Sequence, residues 1–179
     1  GDVYKRQGNG VNIQFGGKAY SNRFILSRII FNAQCDKYDS LFEGTLSGSE
    51  IEQIFRGLLP TANAVLDGKY NKVNADDEVK RAVIEFKAQN AERSKFEHYY
   101  EIPLEDWFLL LRLFFLGNPD LSDMWKASKQ GFEWMILDAI YNAGKIQEIY
   151  QKMKKSVKRF FKSFDSIFTL NYDNNIEKL

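Results

Sequence analysis

What this chain of 179 residues holds little of narrows its chemistry first. It has a single cysteine, Cys35, so no disulfide closes within it, which fits a reducing cytoplasm. With no base beside it in the sequence, Cys35 reads as a small core residue and not as a nucleophile. The single histidine, His98, has no Cys/His cluster or His-Glu-x-x-His spacing around it, so a zinc site is not expected. Beside Tyr99 and Tyr100 it reads as a surface or interhelical residue. Lysine and arginine (25) nearly balance aspartate and glutamate (24), and a net charge of +1 steers no particular partner. Long apolar runs are also missing. Leu104 to Leu116 is short of the roughly 20 residues of a membrane helix. It carries Arg112 and stops at Gly117-Asn118-Pro119, so it is expected to be a buried central helix with Pro103 at its start.

What is present describes a helical protein. A hydrophobic share of 44% and an aromatic share of 15% suit one globular domain with a real core. Phe24, Ile25, Ile29 and Ile30 repeat at helical spacing behind Ser21, which stands where a cap belongs. Ser49 and Glu52 read as a capping box ahead of Ile51, Ile54, Phe55, Leu58 and Leu59. Pro60 begins or interrupts the next segment, which stops near Gly68. Asn74, Asp76, Asp77 and Glu78 open a long polar helix with few apolar repeats, expected to be an exposed arm. A further pattern spans roughly 121 to 143 and closes at Gly144. Residues 145 to 163 set Ile146, Ile149, Tyr150, Met153, Val157, Phe160, Phe161 and Phe164 on one stripe, with lysines and arginines on the remaining surface. That basic face reads as solvated; nucleic-acid contact is the weaker alternative.

The two ends carry the chemistry-bearing motifs. Gly8-Asn9-Gly10-Val11-Asn12 is a glycine turn of the kind that lets backbone N–H groups approach a phosphate. Ile167 to Leu170 reads as a short buried strand running into Asn171-Tyr172-Asp173. Read alone, Asn171 and Asp173 equally well close a turn, because both side chains bond nearby backbone. Together, a Gly-Asn-Gly-hydrophobic-Asn turn and a Thr-Leu-Asn-Tyr-Asp strand end resemble the sirtuin-like NAD-binding domains of bacterial antiphage defence proteins of the abortive-infection type. The resemblance covers residues 8–32 and 164–179.

It implies an α/β, Rossmann-like sirtuin-type fold with a large helical insertion, cut at both ends and predominantly α-helical over the residues given. The expected division is 1–7 as artefact or unstructured, 8–32 as glycine turn and first helix, 33–163 as helical insertion, and 164–179 as strand, loop and the start of another helix. NAD is implied as substrate, held by Gly8, Asn9, Gly10, Val11, Asn12, Asn171 and Asp173, with Asn171 catalytic and no metal. The activity implied is cleavage of the nicotinamide–ribose bond. The family's catalytic histidine lies beyond Leu179, so these residues alone are expected to be inactive. Ala19-Tyr20-Ser21-Asn22-Arg23-Phe24 lacks the sirtuin Asp-Phe-Arg loop, which argues against deacylation. Expected partners are NAD, further copies of the chain and a phage-derived trigger, with no membrane and no nucleic acid. The alternatives are a non-catalytic sensor of NAD or ADP-ribose and a helical interaction module.

Overall fold

The computed structural model describes residues 4–7, 17–145 and 166–169. From 17 to 141 every regular element is helical. Six α-helices, α1 (Asn22–Gln34), α2 (Gly48–Arg56), α3 (Leu58–Leu66), α4 (Asp77–Gln89), α5 (Trp107–Leu116) and α6 (Trp125–Tyr141), are joined by 3-10 turns. The only strands among the described residues are β1 (Tyr4–Gln7) and β2 (Ser166–Thr169), which pair in parallel with Tyr4 opposite Ser166 and Gln7 opposite Thr169.

This overturns the expected α/β, Rossmann-like fold. Such a fold needs an open, many-stranded sheet with helices packed on both faces. Here the helices pack on one another, and a pair of four-residue strands cannot supply a layer.

The helical body is built around α5, which touches α2, α3 and α4, while α1 lies against α2 and α6. Trp107, Leu110, Leu111, Leu113 and Phe115 of α5 are all buried. The Trp107 indole N–H donates to the Ile102 carbonyl at 3.2 Å, so its one polar group is satisfied inside the core. Phe132 on α6 is the meeting point of the aromatic side chains. Its ring lies 5.0 Å from Phe42, 6.0 Å from Phe55 and 5.9 Å from Phe115, bringing the 39–42 turn, α2, α5 and α6 onto one residue.

Local signals explain where the helices begin. The capping box is Ser47 with Glu50, two residues before the expected pair. The Glu50 amide donates to Ser47 Oγ at 3.3 Å, and the Glu50 carboxylate accepts from the Ser47 amide at 2.8 Å. Leu46 and Ile51, at the two staple positions of that start, are both buried. Gly48 follows because a Cβ there would overlap the Ala33 carbonyl of α1. Helix α4 starts at its Asp76 cap, whose carboxylate accepts from the Val79 amide at 2.9 Å.

Helix α4 is not an exposed arm. Its Val83 and Phe86 enter the core, and Phe86 packs against Phe96 at 5.9 Å. Asn63 of α3 holds the backbone of Phe96 at both N–H (2.7 Å) and C=O (3.1 Å), which ties the loop after α4 to the body. Cys35 is exposed, not core, because α1 ends at Gln34 and the chain turns outward through Asp36 at φ 56°.

Candidate functional site

The NAD-binding residues expected from the sequence, Gly8, Asn9, Gly10, Val11, Asn12, Asn171 and Asp173, all lie outside the described residues. So does the basic, aromatic-striped segment from Ile146 to Phe164. What the structure defines is the frame from which the two motifs continue. β1 ends at Gln7, immediately before Gly8 in the chain, and β2 ends at Thr169, two residues before Asn171. Because the strands are parallel and in register, both motif-bearing segments follow from the same edge of the pair.

Downstream of the glycine turn, the chain re-enters the described region at the 3-10 turn Gly17–Tyr20 and passes through Ser21 into α1. Ser21 stands at the cap position, but its hydroxyl donates to the Lys18 carbonyl at 2.8 Å and makes no side-chain cap bond. The junction is held instead by Arg28, two turns into α1. Its Nη1 donates to the Ala19 carbonyl at 2.6 Å and its Nε to the Ala139 carbonyl of α6 at 2.8 Å. Nη2 is buried and makes no hydrogen bond. Burial lowers the Arg28 pKa, with Tyr20, Tyr38 and Asp138 acting in the other direction. Asp138 is already engaged, accepting from Lys37 Nζ at 2.7 Å and from the Tyr38 hydroxyl at 3.2 Å. Burial is also the main reason that the Tyr38 hydroxyl is pushed up to about 12. These groups pin α1, α6 and the 17–20 turn together. They hold a positive charge, that of Arg28, against the 17–20 turn.

His98 is exposed and stacks on Tyr100 with ring centres 5.0 Å apart. Arg23 of α1 lies over the same Tyr100 ring, 5.5 Å from its centre, and Asn22 Nδ2 donates to the Ile102 carbonyl at 3.1 Å. The 99–101 turn therefore sits against the start of α1, a proximity that sequence spacing does not reveal.

Among the described residues no group of three or more His, Cys, Asp or Glu side chains is arranged to hold a metal ion, and no helix is long and apolar enough to cross a membrane. Comparison with protein-family models, curated proteins and solved structures finds no match to this chain.

Proposed function

We propose that this chain is an NAD-binding module of a bacterial antiphage defence protein, and that the full site cleaves the nicotinamide–ribose bond. The observation that carries the reading is the parallel register of β1 and β2, from whose shared edge the Gly8–Asn12 and Asn171–Asp173 segments continue. It rests on those two motifs and not on a Rossmann-type sheet. Backbone N–H groups of the glycine turn would take the pyrophosphate, and the positive charge fixed by Arg28 at the next turn favours an anionic ligand in that neighbourhood. Asn171 would orient the nicotinamide-side ribose or the attacking water, and Asp173 would fix the loop or a ribose hydroxyl. Bond cleavage through an oxocarbenium-like state gains from such positioning, with a base needed for water. A cytoplasmic setting, self-association and a trigger of phage origin belong to the same reading.

Calorimetric titration with NAD tests it. Saturable binding that disappears in Asn171→Ala, with the far-UV circular dichroism unchanged, is the expected result; absence of binding in the parent chain overturns the proposal. Nicotinamide release by the full-length protein, followed by chromatography, then separates a hydrolase from a sensor that only binds.

A further inference from the structure

A second site, independent of the NAD reading, lies on the helical body. A cleft of about 320 Å³ opens between the start of α4, the start of α5 and the first turns of α6. That volume is at the lower end of the range for small-molecule sites. Its apolar wall is Phe108, Leu109 and Trp125. Trp125 is fixed from behind, since its ring lies 5.5 Å from Phe115 and stacks on Phe132 at 6.5 Å.

The charged groups around this wall are not spent on one another. Arg112 lies over the Trp125 ring with its guanidinium carbon 5.5 Å from the centroid, and it makes no hydrogen bond or ion pair among the described residues. Lys129, beside it on the cleft, has only a long 4.0 Å contact with Glu133. Glu78 and Glu105 also line the cleft, and neither carboxylate has a hydrogen bond or ion pair among the described residues. Asp76, the remaining acid there, is occupied in capping α4. One cleft thus holds an unpaired guanidinium, a weakly engaged ammonium, two unpaired carboxylates and an aromatic wall, with no ion pair formed across it among the described residues.

A ligand that satisfies all three carries both charges on a short frame with an apolar body attached. We propose that the cleft binds a free α-amino acid with an aromatic or large aliphatic side chain. Its carboxylate goes to Arg112 and Lys129, its ammonium to Glu105 and Glu78, and its side chain to Trp125, Phe108 and Leu109. A guanidinium already stacked on a ring is preorganised for a carboxylate, so little ordering cost remains when the pair forms.

The test is calorimetric titration of the full chain with L-phenylalanine, 2-phenylethylamine and 3-phenylpropionate. Phenylalanine is expected to bind at least about tenfold more tightly than either analogue, each of which leaves one charged rim of the cleft unanswered. Arg112→Ala is expected to weaken phenylalanine by about tenfold or more, and Lys129→Met, at a side chain that is 58% exposed and so safe for folding, by a smaller factor. No saturable binding of phenylalanine, equal binding of either analogue, or unchanged affinity in both variants overturns the assignment. NAD titration of the same variants is expected to be unaffected, which keeps the two proposals separable.

Discussion

Asp106 is a residue whose surroundings oppose its charge. It stands at the start of α5 with one carboxylate oxygen buried and without a hydrogen-bond partner, and burial, helped by the neighbouring Glu105, raises its pKa from 3.8 to about 6. The amino end of a helix ordinarily favours a carboxylate, so desolvation outweighs the helix dipole here. Since the folded pKa lies above the unfolded one, the unfolded chain ionises first. The contribution to stability is complete below about pH 4 and is lost as pH rises to about 6, then levels off. Asp106→Asn is expected to remove that loss and to be more stable than the parent at pH 7 by about 1 kcal/mol, the full shift being reduced by the solvent that reaches the rest of the carboxyl. Urea unfolding of both proteins at pH 4.5, 5.5 and 7 checks this; a constant difference across the series would contradict it. Asp106 gives no sign of this in the sequence, where Glu105-Asp106 looks like an ordinary acidic helix start.

The helices were legible in the sequence, and their details were legible in proportion to how local the deciding contact is. Leu104 to Leu116 is apolar nearly all round and forms the buried centre, because a segment without a polar face has nowhere else to go. The start of α2 was displaced by two residues. Both Ser47-x-x-Glu50 and Ser49-x-x-Glu52 satisfy the capping pattern, and the choice falls to Leu46, Ile51 and the space Gly48 leaves under the Ala33 carbonyl. Ser47→Ala is expected to cost about 1 kcal/mol in thermal or urea unfolding. Hydrogen bonds from Ser47 hold the Glu50 carboxyl below its ordinary range, so that part of the stabilisation is present at neutral pH and fades as pH falls through the carboxylate range. An unchanged midpoint would return the cap to Ser49. Helix α4 departs from the expected exposed arm for a related reason: two buried side chains, Val83 and Phe86, suffice to dock it, and a partner outside the helix such as Phe96 is invisible to periodicity.

At the scale of the whole molecule, Phe132 joins α2, α5, α6 and the turn before α2, so its loss should be felt everywhere at once. Phe132→Ala is expected to cost about 3–5 kcal/mol, a large part of the roughly 5–15 kcal/mol that keeps a domain folded. The measurement is the urea midpoint followed by circular dichroism, and a loss under about 1 kcal/mol would show that the four elements hold without their common ring. The two short terminal motifs point to an α/β fold, but the long helical interior packs on itself, and the two-stranded β1–β2 pair is too small to be a layer that helices cover. The chain's three tryptophans also sit at three depths: Trp107 is fully buried, Trp125 half-buried under Arg112, and Trp134 is 56% exposed. Their emission is therefore stratified. An aqueous quencher should dim Trp134 first, a molecule seated in the cleft should alter Trp125 alone, and Trp107 should stay blue-shifted until the core opens, so that the unmodified protein reports surface, cleft and interior as separate optical signals.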